Sequence, residues 1–179
     1  MYPSPAFTTG LAAAIFTLAL NSGLVLAAAE HEAGATLNKA DTKFVERTAQ
    51  GELLVITSSE LALKRTVSGE ERVFAQKMVE EHGALADELK TLAHNKGVTL
   101  PTALDDKMQK KIDKLGKEDD KGFPAAYVAC QVEAHKAAVS AYRDASESAK
   151  DRQVKGFASE YLPKMQAHLD EAQKLAKKY

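Results

Sequence analysis

Four stretches of the chain repeat one rhythm. Apolar and small residues recur at steps of three and four, the spacing that lines one side of an α-helix. The second stretch is the clearest. Val73–Leu92 sets Ala75, Met78, His82, Leu85, Leu89 and Leu92 on a single stripe. A histidine thus stands mid-stripe, where a leucine would pack more simply. Glu80 and Glu81 are expected to point elsewhere, because residues one and two apart do not share a helix face. The first stretch, Thr42–Val67, aligns Val45, Thr48, Glu52, Val55, Ser59, Ala62 and Thr66, with Asp41 as the expected N-cap. Glu52 falls in or beside this seam; Glu60 falls nearer its edge, as a solvated charge.

The third long helix is expected to open at Pro124, since proline suits a first helical turn. Its inner stripe is Val128, Gln131, Val132, His135, Ala138, Val139 and Tyr142. After a connection at Ser146–Lys150, the fourth helix has the most regular pattern: Val154, Ala158, Tyr161, Met165, His168, Ala172 and Leu175. Pro163 inside it removes one backbone hydrogen bond and predicts a kink before the histidine.

The connections fix how these helices are joined. Ser68-Gly69-Glu70-Glu71 is short, with Ser68 and Glu71 spaced as a capping box, so the first two helices form an antiparallel hairpin. That hairpin brings His82 near the level of Ile56, about one turn from Glu52 and from Glu60. Gly97 is a natural C-cap for the second helix. The next connection is long. It holds extended residues before Pro101, a short helix over Ala103–Leu115 capped by Thr102, and a charged loop over Gly116–Gly122. It is long enough to cross the bundle and set the second and third long helices parallel, as in ferritin-like folds, although an up-down return also fits. The expectation is an all-α domain over residues 41–179: a ferritin-like antiparallel four-helix bundle with one short extra helix.

Composition narrows the function. The 179 residues carry a formal net charge of −1 with evenly mixed signs, which gives no electrostatic basis for nucleic-acid binding. Residues 1–29 contain no charged side chain, and Ala27-Ala28-Ala29 precedes Glu30. That reads as a secretory signal peptide, with an uncleaved anchor as the alternative because the start lacks Lys and Arg, followed by a flexible leader over 30–40 that includes His31. The expected product is periplasmic or otherwise exported, with no membrane span in the mature chain. Cys130 is the sole cysteine, so no intrachain disulfide forms, and its setting on a helix flank suggests a half-buried thiol.

His82, His135 and His168 come from three helices, each on an inward stripe near mid-helix. Each imidazole needs a partner in the core, and a metal ion supplies one for all three. Glu52, Met78 and Met165 complete the candidate set. Copper, zinc and iron are the candidate ions, with the histidine–methionine combination favouring copper. The competing reading is a polar network in which Ser59, Tyr127, Gln131, Tyr142 and Tyr161 satisfy the rings, in a non-catalytic envelope or stress-related protein. Residues three before the histidines are Val79, Val132 and Met165. The Glu-x-x-His signature of di-iron bundles is therefore absent, as are the glycine motifs of nucleotide-binding and hydrolase enzymes.

Several motifs, in order, resemble one family. They are Ala75-Gln76-x-Met78-Val79-x-x-His82, Glu88-Leu89, Gly97-Val98-x-Leu100-Pro101, Tyr127-x-x-x-Gln131-Val132-x-x-His135, and Phe157-Ala158-x-x-x-Leu162-Pro163-x-x-x-x-His168-Leu169. The family comprises exported bacterial proteins of unknown function with a ferritin-like four-helix bundle, often labelled "predicted outer membrane protein". The resemblance spans about Asp41 to Lys174 and implies the fold and an envelope location, but no activity. The chain departs from the family pattern at Val55, where a glutamate is usual, and at Pro124, where aspartate is usual. The first departure puts a helix 1 carboxylate ligand in question unless Glu52 takes its place. No alternating ten-residue strands support a membrane barrel.

Overall fold

A computed structural model describes residues 36–65 and 69–179. The described residues form five helices and no strand: α1 (Lys39–Lys64), α2 (Gly69–Asn95), α3 (Asp106–Gly116), α4 (Phe123–Ser148) and α5 (Arg152–Ala176). The expected signal segment and most of the leader lie outside the described residues, as does Ser68 of the expected capping box. No helix among the described residues is long and apolar enough to cross a membrane.

The four long helices pack as two hairpins, α1 with α2 and α4 with α5, which meet through α1·α4 and α2·α5. Named contacts fix their directions. At one end the Asp41 carboxylate of α1 accepts hydrogen bonds from the Lys150 and Asp151 backbone N–H groups between α4 and α5. Lys96, just past α2, reaches Asp151 at the same end. At the other end Arg65, after α1, lies over the Phe123 ring that opens α4, and Tyr179, after α5, donates to Glu71 near the start of α2. So α2 and α4 run parallel, as do α1 and α5, and every packed pair of long helices is antiparallel. The segment from Lys96 to Gly122 is a true crossover, the ferritin-like alternative of the two that the sequence allowed.

Local chemistry sets the ends. Gly97 adopts φ 66°, and Val98 N–H reaches back to the Ala93 carbonyl at 2.9 Å, a Schellman stop that needs a left-handed residue. Two expected caps are corrected. α1 starts before Asp41: the Asn38 side chain accepts from the Ala40 and Asp41 N–H groups. Asp41 is freed to hold the α4–α5 turn. α3 starts at Asp106 rather than Ala103, because Asp105, not Thr102, accepts from the Met108 N–H at 2.7 Å. Residues ahead of it are held non-helical by Gln50 of α1, which donates to the Ala103 carbonyl and accepts from the Asp105 N–H. α5 continues through Pro163.

The apolar core divides in two. One cluster includes Val45, Ala49, Leu85, Leu89, Val139 and Leu169; the other includes Val55, Met78, Tyr127, Val128, Ala172 and Leu175. On α1, α2 and α4 the changeover falls at a buried polar residue, and on α5 it comes within a turn after one. Ala49 and Val55 flank Glu52; Met78 and Leu85 flank His82; Val128 and Val139 flank His135; Leu169 and Ala172 follow His168. Burying a leucine or phenylalanine stabilises a fold by about 1.5–3 kcal/mol. The polar layer forgoes that gain and adds desolvation, so its existence points to a task other than stability.

Candidate metal centre

His82, His135 and His168 meet at mid-bundle, each at most 2% exposed. His82 Nε2 lies 3.2 Å from His135 Nε2 and 3.2 Å from His168 Nδ1. One ring nitrogen from each residue falls within 4.8 Å of the other two. The rings come from α2, α4 and α5; α1 contributes none.

The opposite edge of every ring meets an oxygen. His82 Nδ1–H donates to Glu52 Oε2 at 2.6 Å, from α1. His135 Nδ1–H donates to the Gln131 carbonyl one turn back at 2.8 Å. His168 Nε2–H donates to Glu81 Oε2 at 2.8 Å, from α2. A carbonyl and two carboxylates only accept, so each outward nitrogen must carry the proton. Burial, reinforced by the neighbouring His82, depresses the His135 pKa to about 3, against the pull of the Gln131 carbonyl. Burial and His82 likewise take His168 down to about 4, against Glu81. Both rings are therefore neutral at neutral pH, and their inward nitrogens, His135 Nε2 and His168 Nδ1, present lone pairs toward His82 Nε2. For Glu81 burial raises the pKa, but the His168 hydrogen bond and the charges of His168, Lys164 and Lys77 outweigh it, and the net shift is downward.

Such an inward face could hold a cation. Four-coordinate ions with metal–nitrogen bonds of 2.0–2.1 Å place ligand nitrogens about 3.3 Å apart, close to the two 3.2 Å separations here. The outward oxygens correspond to the carboxylate and carbonyl partners that fix tautomer and ring angle around metal-bound histidines.

The other expected residues are placed differently. Glu52 is buried beside the site, but it stands behind His82 on the outward nitrogen. Met78 and Met165 are fully buried, one in each apolar cluster. Val55 is buried in apolar surroundings, so Glu52 is the carboxylate that α1 brings to the centre. Glu60 is exposed, as expected. Among the tyrosines and serines expected to satisfy the rings, Ser59 instead pairs with Tyr127, and the Gln131 side chain donates to Ser58 and Ser59. Burial, then the Glu52 charge, pushes the nearby Tyr142 hydroxyl well above its ordinary range. Cys130 is half-buried, and burial raises its thiol pKa.

One expectation is overturned. Glu81 does not point away from the site; it is the partner of His168. It shares no face with His82, as the spacing argued, and for that reason faces α5, where it meets a histidine of another helix. The signal available in the sequence was a Glu flanking one seam together with a His inside the seam of another helix.

These features define a class: an all-helical protein with a crossover bundle and three histidines converging in its core. A profile described as a domain of unknown function, DUF4142, matches residues 26–175, and the chain belongs to that family. A solved structure, the crystal structure of a DUF305 fragment from Deinococcus radiodurans, superposes with a TM-score of 0.71 at 9% sequence identity, covering 81% of this chain and 100% of that one. That likeness is one of fold. No curated protein matches the chain.

Proposed function

We propose that this protein is a non-catalytic metal-binding bundle of the cell envelope, holding one transition-metal ion at His82, His135 and His168. One observation carries the reading: all three outward ring nitrogens are spent on oxygen acceptors, which turns the three inward ones toward a common point. Neutral imidazoles suit zinc, copper and iron, and a three-histidine set with an open side is well suited to zinc or copper. The uncharged run over residues 1–29, ending in Ala27-Ala28-Ala29, supports export. Intact mass of protein from the native host tests the export half: a chain beginning near Glu30 is expected, and one retaining residues 1–29 contradicts it.

A second reading keeps the same atoms and replaces the metal by a proton. His82 is common to both short nitrogen contacts. An imidazolium at His82, paired with Glu52, would donate its Nε2–H between His135 and His168. Metal content of protein purified without a histidine tag separates the two. The metal reading expects close to one bound ion per chain, lost when His135 is replaced by glutamine. A chain that stays metal-free in the presence of zinc, copper and iron defeats it and leaves the proton-bridged network.

A further inference from the structure

A cavity of about 340 Å³ opens between α1, α3 and α4 and runs inward to Glu52, His82 and His135. Small residues make it: Gly51 on α1 faces Ala134 and Ala138 on α4 across it. A methyl group placed on Gly51 would meet nothing within 4 Å. The cavity follows α1, the one long helix that supplies no ring to the centre.

Arg47, Lys107 and Lys111 line the cavity against Glu52, Asp105 and Glu133, so its formal charges balance, but the cations and carboxylates are not all paired with one another. Glu52 is engaged by His82, Glu133 by Lys111, and Asp105 by the Met108 N–H that it caps. Arg47 and Lys107 also line the cavity, and neither has a carboxylate partner among the described residues. An entering molecule therefore meets two unpaired cationic side chains, Arg47 and Lys107, at the wall, and Glu52, His82 and His135 at the floor.

We propose that this cavity is the ligand side of the centre, and that it admits a small monoanion of carboxylate or azide size that supplies the fourth donor to the ion. The inference rests on the metal reading above. Three protein nitrogens leave one position of a four-coordinate ion for an outside donor. Neutral imidazoles leave the ion's charge uncancelled, which favours an anionic donor. The reaction is ligand association, with displacement of a water and no change of oxidation state.

The test is a titration of the cobalt(II)-loaded chain with azide, read in the visible cobalt bands. A saturable spectral change is expected, with acetate competing for the same site. Gly51→Leu projects a side chain into the open space while leaving the histidines untouched. It should keep one cobalt per chain and weaken azide binding by at least about tenfold. Ala138→Phe fills the cavity from α4 and should do the same, so the result does not hang on the folding of one variant. Arg47→Glu combined with Lys107→Glu should weaken azide binding and leave cobalt stoichiometry intact. Cobalt binding without any azide response, or an equal response in both filled variants, overturns the inference and spares the metal reading. Failure to bind cobalt or any other transition metal overturns both.

Discussion

Among the places where the molecule buries charge-bearing side chains, two compare directly: the end cap around Asp41, Lys96 and Asp151, and the mid-bundle histidines. In the end cap every acceptor faces a donor. The Asp41 carboxylate receives the Asn38 side-chain amide at 2.7 Å and the Asp151 backbone N–H at 2.8 Å. Asp151 receives the buried Lys96 ammonium at 2.7 Å and the Gln153 and Val154 N–H groups. In the histidine layer only the outer half is closed in this way. The inner half sets the lone pairs of His135 and His168 against His82. A closed network fixes the connection of helices and needs nothing further. A layer closed on one side only keeps ring nitrogens turned toward one another, the arrangement that the metal reading proposed above would use.

Acid should separate the two layers most sharply. His135 and His168 have folded pKa values of about 3 and about 4, below the ordinary 6.5. The unfolded chain therefore takes up protons that the folded chain refuses. Stability is fully present above about pH 6.5 and falls as the pH drops from there toward the folded values. In the end cap Asp151 is the shifted group. Burial alone would raise its pKa, but Lys96 and two backbone N–H groups hold it below the ordinary 3.8. Its contribution is lost only as the pH falls below that value. Metal-free protein followed by circular dichroism should lose stability between about pH 6 and pH 4. His135→Gln together with His168→Gln should remove most of that slope. An unchanged slope in the double variant would place the acid sensitivity elsewhere.

The next largest effect belongs to the end cap. Lys96→Met leaves Asp151 buried without its ammonium partner, and breaking a buried pair from one side costs about 3 kcal/mol. Urea unfolding should show this loss equally with and without added metal. A cost below about 1 kcal/mol would mean that the two backbone N–H groups already satisfy Asp151.

Metal should act on the other layer alone. An ion at about 100 times its dissociation constant stabilises the folded chain by about 2.7 kcal/mol. That increment should vanish in His82→Gln, His135→Gln or His168→Gln and persist in Lys96→Met. Differential scanning fluorimetry with a metal series tests it. A metal-induced rise in Tm that survives all three histidine changes would locate the ion at another site.

Much of this was legible in the sequence, and the residues show why. Periodicity alone brought His82, His135 and His168 inward, because three independent stripes each fixed one face. It also put Glu52 in the seam of α1. It missed the caps at Asn38 and Asp105, where several polar residues competed for one position and tertiary contacts chose between them. Asp41 was drawn to the α4–α5 turn, and Gln50 held the residues before α3. Glu81 was missed for a related reason. Periodicity tells which residues leave a face, but the neighbour that an edge residue then meets depends on how helices are ordered around the bundle. That order followed from a crossover that loop length permitted without requiring. The cavity was beyond reach too, since it arises where Gly51 and the α4 alanines face one another, an alignment set by helix register.

The smallest expected effects distinguish the two carboxylates behind the rings. Glu52→Gln and Glu81→Gln each keep an oxygen able to accept the ring N–H, so ring orientation survives while the charge that makes the imidazole a better donor to metal is removed. Loss of such a partner typically weakens metal binding by about tenfold or more. Glu52 should matter more, because its side chain is 5% exposed against 33% for Glu81, and water screens the second charge. Glu81 also lies 3.8 Å from Lys164, which shares its charge. Without metal, Glu81→Gln should change stability by less than about 0.5 kcal/mol, as for partly exposed ion pairs. Glu52→Gln should change it more, since it alters a buried contact. Competition titrations against a chromophoric chelator give the affinities, and urea unfolding gives the stabilities. If Glu81→Gln weakens metal binding as much as Glu52→Gln, solvent does not screen the outer carboxylate. If neither weakens it, the outward hydrogen bonds serve packing alone, and the half-closed layer works as the end cap does.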